Sequence, residues 1–162
     1  VRLGNFFNSE INGKVTDESF VFATKFLRDS DDMPAYKALS ITGERTREAA
    51  YAALENNADF SSYLEAIPFR HPAQLYEGIG YLALFALLYF VFWNTEKKHK
   101  TGFLFGTFFI LLWSIRFAVE FVKKSQGGFE ESLGILSTGQ WLSIPFILVG
   151  IWFVVRSSKA KA

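Results

Sequence analysis

Thr101-Gly-Phe-Leu-Phe-Gly-Thr-Phe-Phe-Ile-Leu-Leu-Trp-Ser-Ile-Arg-Phe-Ala-Val-Glu-Phe-Val122 reads as a membrane span into which two charges, Arg116 and Glu120, are set. Hydrocarbon offers ionisable groups no water, so at such a depth they face a protein interior or a wet cavity and mark a working site. Their i, i+4 spacing puts both on one helix face, where they can also pair with each other.

Two further apolar segments flank this one. Residues 78–95 are uncharged over about the length needed to cross a bilayer, with Trp93 as an interfacial anchor. Residues 141–155 form the third, lengthened if the stretch from 133 to 140 contributes. Its Pro145 is compatible with a span, because neighbouring helices can satisfy the freed carbonyl. The link Asn94-Thr-Glu-Lys-Lys-His-Lys-Thr101 and the tail Arg156-Ser-Ser-Lys-Ala-Lys-Ala162 are basic, whereas Lys123 and Lys124 are offset by Glu130 and Glu131. Basic loops stay in the cytoplasm, so the link and tail belong there, and the region before the first span lies outside together with the 123–139 loop.

That outer region has a different composition. Acids outnumber bases from Val1 to Gln74, and bases outnumber acids after it, for a net charge of +1. Asp29-Ser-Asp-Asp-Met-Pro34 reads as a turn, and residues 46–55 read as a helix rich in Ala, Glu and Arg, although no clean capping box marks its start. The chain holds no cysteine, so a thiol in any reaction belongs to the substrate. It opens at Val1 in what reads as the middle of something, which points to the C-terminal part of a longer protein. The expected fold is thus an all-α polytopic membrane protein: the last three transmembrane helices of a larger bundle (about 75–95, 102–122 and 138–156, within 71–162) plus a small extracytoplasmic head at 16–70.

Residues 1–15 suit a site at a membrane boundary better than a span. Gly4 and Gly13 allow close backbone approach, Asn5 and Asn8 supply donors and acceptors, and Arg2 offers a planar fork that matches a phosphate. With Arg116 this gives two guanidiniums suited to an anionic lipid headgroup. Arg70-His-Pro-Ala-Gln-Leu-Tyr-Glu77 opens the first span, with Pro72 at the first helical position, His71 as the cap, and Gln74, Tyr76 and Glu77 in the first turns. A histidine there either orients its neighbours or moves a proton.

Arg2-Leu-Gly-Asn-Phe-Phe-Asn-Ser-Glu10, Arg70-His-Pro-Ala-Gln-Leu-Tyr-Glu77, Arg116-Phe-Ala-Val-Glu-Phe121 and Gly139-Gln-Trp-Leu-Ser-Ile-Pro145 together resemble the successive motifs of bacterial prolipoprotein diacylglyceryl transferases. The resemblance implies an inner-membrane, multi-pass enzyme with a periplasmic head and a cytoplasmic C-terminus. Such an enzyme moves the diacylglyceryl group of phosphatidylglycerol onto the lipobox cysteine of a preprolipoprotein. It further implies that Arg2, Asn5, Asn8, Glu10 and Gly13 bind phosphatidylglycerol, that Arg116 is a second essential arginine held by Glu120, and that His71 matches a family histidine. The implied partners are the lipid, the lipobox peptide and the bilayer, with no nucleic acid, metal or cofactor. The family's upstream His-Gly-Gly motif does not occur in the chain, and Leu112 stands where some members carry tyrosine. The same arginines would also serve a non-catalytic membrane protein that holds anionic headgroups. A transporter pathway is the third reading, and the want of an internal repeat argues against it.

Overall fold

The computed structural model describes residues 1–124 and 136–159, which fall into two compact units, Val1–Leu75 and Tyr76–Ala162. In the first unit, α1 (Arg2–Phe7) leads into a long irregular segment and the short strand β1 (Thr24–Lys25). Helices α2 (Ala35–Thr42) and α3 (Arg47–Asn56), a 3₁₀ turn η1 (Ala58–Phe60), the short α4 (Ser61–Glu65) and strand β2 (Phe69–Arg70) follow. The strands pair antiparallel, Thr24 opposite Arg70 and Lys25 opposite Phe69, and Val15 adds a single bridge to Arg70. The chain is mostly helical, as expected of a helical membrane protein, with this small sheet as an addition whose two-residue strands are too short to leave an alternating pattern in the sequence.

Local chemistry sets the helix limits. Gly43 ends α2 in the left-handed region at φ 72°, its N–H bonded to Leu39 O, a conformation that glycine adopts without a Cβ penalty. Thr46 caps α3 by accepting from the Ala49 N–H. Ala49 cannot reciprocate, so this cap is one-sided. The two helices pack over a core of Met33, Ala38, Ala50, Tyr51, Leu54 and Ile67, and the buried Tyr51 hydroxyl donates to Met33 O at 2.9 Å.

Helix α5 (Ala73–Asn94) begins at the end of the first unit and forms most of its length in the second. After the 3₁₀ turn η2 (Glu96–His99), helices α6 (Phe103–Val119) and α7 (Thr138–Lys159) complete the second unit. Helices α5 and α7, each of 22 residues, are long and apolar enough to cross a membrane. Ile79, Leu82, Phe85, Tyr89, Phe90 and Trp93 of α5 are all exposed, which suits lipid rather than water. Pro145 lies inside α7 without interrupting it. The start of α7 is fixed by a reciprocal capping box: Ser137 N–H donates to Gln140 Oε1 at 3.0 Å, and Gln140 N–H to Ser137 Oγ at 3.2 Å.

Helix α6 is shorter than the expected 102–122 segment. It ends at Val119, and residues 120–122 continue as a turn. Glu130 and Glu131, which enter the loop-charge reckoning, and the tail beyond Lys159 lie outside the described residues. α6 and α7 meet where neither has a side chain. A Cβ on Gly106 would stand 2.6 Å from Gly150 O, and one on Gly150 2.8 Å from Gly106 O. Around this crossing Trp113 stacks on Phe146 at 4.2 Å, and Phe105 meets Phe153 edge-on. Gly106→Val must push the two backbones apart, and it is expected to lower the melting temperature of the intact protein in detergent by several degrees. Unchanged melting would mean that the crossing is not held at this distance.

Candidate functional site

After α1 the chain makes an unusual turn. Ser9 and Ile11 both take left-handed backbone, at φ 58° and 59°, a costly choice for any L-residue and more so for a β-branched one. Side-chain amides hold it there. Asn12 Nδ2 donates to Ser9 O at 2.8 Å and to Asp29 Oδ2 at 2.6 Å. Gln74 Nε2 donates to Glu10 O and to Asn12 Oδ1, both at 2.6 Å, and Glu10 N–H closes back on Asn5 O at 2.8 Å. The oxygens facing each nitrogen fix both amide orientations. Gln74 is 1% exposed and Asn12 3%. Gln74 Oε1 is buried and has no hydrogen-bond partner among the described residues.

The same network reaches the turn anticipated at 29–34. Asp29 Oδ1 accepts from the Asp31 and Asp32 N–H groups at 2.8 and 3.3 Å. Asp32 then takes a two-pronged bond from Arg70, Nε to Oδ2 at 2.8 Å and Nη2 to Oδ1 at 2.9 Å. The hydrogen bond to Asp32 raises the Arg70 guanidinium further above its ordinary value. Gly13 N–H donates to His71 O at 2.8 Å, and His71 N–H to Lys14 O at 3.0 Å. The early Asn-Gly-rich signature and the Arg-His-Pro-Ala-Gln motif are thereby bound into one structure.

His71 differs from expectation. Helix α5 starts at Ala73 rather than Pro72, so Pro72 occupies the cap position and His71 precedes it. The proline ring disfavours helical backbone at His71, and the paired N–H and C=O of His71 are already committed to the Gly13 and Lys14 segment. Its ring sits edge-on to Phe20 at 4.8 Å.

Of the other signature residues, Arg2 opens α1 and is half-buried, Asn5 lies within it, and Asn8 caps its C-terminus. Asn8 and Glu10 line an open cleft of the first unit. Arg116 and Glu120 belong to the second unit. Arg116 lies in the last turn of α6, where a cation is favoured by the helix dipole. Its guanidinium carbon is 5.4 Å from the Trp113 ring centre, and its buried Nε has no hydrogen-bond partner among the described residues.

Glu120 does not hold Arg116. Its Oε2 is 3.8 Å from Lys123 Nζ, and its carboxylate packs so closely on Gly139 that a Cβ there would lie 2.6 Å from it. Glu120 is the C-cap of α6 and keeps helical backbone, its N–H bonded to Arg116 O at 3.1 Å, so the chain brings the two residues onto one face, but the carboxylate turns to Lys123 and Gly139 instead. Asn12, Asp29, Asp32 and the donor role of Gln74 were absent from the sequence-based site, since amides that meet across 62 residues leave no periodic signal. Among the described residues no three His, Asp or Glu side chains gather into a metal-ligating group.

A family model described as prolipoprotein diacylglyceryl transferase matches residues 1–156. Curated proteins named phosphatidylglycerol–prolipoprotein diacylglyceryl transferase are similar to the chain. One from Bacteroides fragilis is 37% identical over 162 residues, 100% of this chain and 44% of its own length. One from Tolumonas auensis is 37% identical over 162 residues, 100% of this chain and 47% of its own. A third, from Chloroherpeton thalassium, is 33% identical over 159 residues, 98% and 45% of the two chains. The chain therefore spans less than half the length of these relatives. No solved structure matches it.

The buried amide network makes a stability prediction. Gln74→Leu keeps the bulk and removes both donors, leaving Glu10 O and Asn12 Oδ1 unmet at about 1–3 kcal/mol each. Arg70→Ala, which strands a largely buried Asp32, is expected to cost about 3–5 kcal/mol. Both variants should melt earlier and open the 9–13 turn to limited proteolysis; wild-type protease resistance in both would contradict the network's role.

Proposed function

The chain belongs to the prolipoprotein diacylglyceryl transferase family, and we propose that the protein carrying it transfers the diacylglyceryl group of phosphatidylglycerol to a lipobox cysteine of preprolipoproteins. The observation that carries the reading is Arg116: a guanidinium at the end of an apolar helix, stacked on Trp113, with a buried Nε that no described residue satisfies. Such a donor suits a phosphate oxygen.

In this reaction the substrate sulfur forms a bond to the glyceryl carbon while the carbon–oxygen bond to phosphate breaks, and glycerol phosphate leaves with the electron pair. The thiol proton ends on a base or on the departing phosphate. Negative charge grows on the leaving oxygen, so fixed cations beside it lower the barrier. In this proposal Arg2 and Arg116 are each phosphate-binding residues, and Asn5, Asn8, Glu10 and Gly13 shape the headgroup site. Glu120 acts through Lys123 and the junction of α6 and α7. His71 serves by position, its backbone tying the signature to the start of α5.

The reading includes a topology of three spans in the inner membrane, α6 among them, with the head on the periplasmic side and the C-terminus in the cytoplasm. It follows from the basic link at η2 and the basic end of α7. Cysteine placed at Lys98 should be shielded from an impermeant thiol reagent in intact cells, and cysteine placed at Ser30 should be labelled. The reverse pattern would overturn the orientation.

Incubating the intact protein with phosphatidylglycerol vesicles and a lipobox peptide tests the activity, since a transferase alone yields a heavier, thioether-linked peptide. Arg2→Lys and Arg116→Lys are each expected to lose most of that activity, because an ammonium cannot reproduce a two-pronged grip. Near-normal turnover in both would remove the phosphate role. Saturable lipid binding without any product would favour a non-catalytic headgroup-binding protein.

A further inference from the structure

The first unit contains a cleft of about 350 Å³, a size within the usual range for ligand sites, and of its lining residues the proposed lipid site uses Asn8 and Glu10 but neither Arg28 nor Tyr51. Asn8, Glu10, Arg28, Pro34 and Tyr51 are among the residues that line it. Tyr51 is rigid, buried in the core and anchored through its hydroxyl to Met33 O. The Arg28 guanidinium lies over its ring at 5.4 Å, with the Glu48 carboxylate within electrostatic reach. The Arg28 N–H donates to Ser9 Oγ at 3.3 Å, so the arginine is tied to the strained turn that presents Glu10. Arg47 and Glu48, also on the rim, satisfy each other at 2.7 Å.

The cleft thus offers a carboxylate, an amide, a guanidinium and an aromatic face. Glu10, proposed above to shape the headgroup site, repels a phosphate and suits only the headgroup's hydroxyls, whereas a polypeptide, with repeating donors and acceptors and side chains of both signs, matches every group of the cleft, Arg28 and Tyr51 included. We propose that this cleft holds the segment of the protein substrate on the water side of its reacting cysteine, and that Arg28 is a specificity residue for that segment. The inference rests on the transferase reading and names where its polypeptide substrate lies. Because Asn8 and Glu10 belong to the same signature as Arg2, one short stretch of chain would serve both substrates.

The test uses the intact protein, phosphatidylglycerol vesicles and two lipobox peptides, one ending at the cysteine and one continuing several residues beyond it. The extended peptide is expected to show a KM about tenfold lower, as one charge-assisted contact allows. Arg28→Gln should abolish that advantage, and Arg28→Lys should restore part of it. The KM for phosphatidylglycerol and the kinetics of the short peptide should stay unchanged. A photoreactive group in the extension should label residues 28–35 of the wild-type protein. Equal KM for the two peptides in the wild type, an advantage that survives Arg28→Gln, or labelling confined to other segments would overturn the proposal. A raised KM for phosphatidylglycerol in Arg28→Gln would overturn it in favour of a lipid headgroup in the cleft. Loss of the short peptide's turnover in Arg28→Gln would mark a folding defect, and the wild-type labelling pattern then decides. If the wild type forms no thioether product with either peptide, the transferase reading itself falls.

Discussion

Arg70 and Asp32 meet through two nitrogen–oxygen bonds where neither is well hydrated, and the first unit depends on that meeting. Desolvating two charges is expensive, and only good geometry with further hydrogen bonds offsets it. Both conditions hold. The guanidinium spends two nitrogens on one carboxylate, and the loop that carries Asp32 is wound around Asp29, which accepts from two backbone N–H groups and from Asn12. Arg70 also forms the end of β2, so the pair fixes the sheet against the loop. One residue later the His71 backbone grips Gly13 and Lys14. Through these links a charge pair in the first unit determines where the glycine-and-asparagine signature lies.

The strained turn at Ser9 and Ile11 gains its meaning from this arrangement. Left-handed backbone at two such residues persists only when its surroundings over-determine it. Asn12 and Gln74 do so by taking the Ser9 and Glu10 carbonyls inward, while Glu10 also lines the cleft. The amides are therefore a mould for the backbone, and the residues they orient are free to meet a ligand.

Hydrophobic patterning made α5, α6 and α7 legible, because runs of apolar residues at that length have few other uses. The Asp29–Pro34 turn and the helix after Thr46 were legible from composition. Where α6 ends was not: Phe121 and Val122 remain apolar past its last turn, so hydropathy extends the span and lends Glu120 a partner it does not have. The Ser137 and Gln140 capping box was readable from its three-residue spacing and passed unread. The Asn12 to Gln74 contact was beyond reach, since nothing local announces a tertiary bond between two amides.

The seventeen residues of α6 have one consequence for the surroundings. At 1.5 Å per residue it measures about 25 Å, against a hydrocarbon thickness of roughly 30 Å. Joined to the longer α7 by the contact of Gly106 with Gly150, it cannot slide to share the deficit. A bilayer accommodates such hydrophobic mismatch by thinning beside the short helix. In the topology proposed above, such thinning draws the headgroup plane inward toward the end of α6, where Arg116 lies, and shortens the path by which the proposed lipid phosphate reaches the guanidinium.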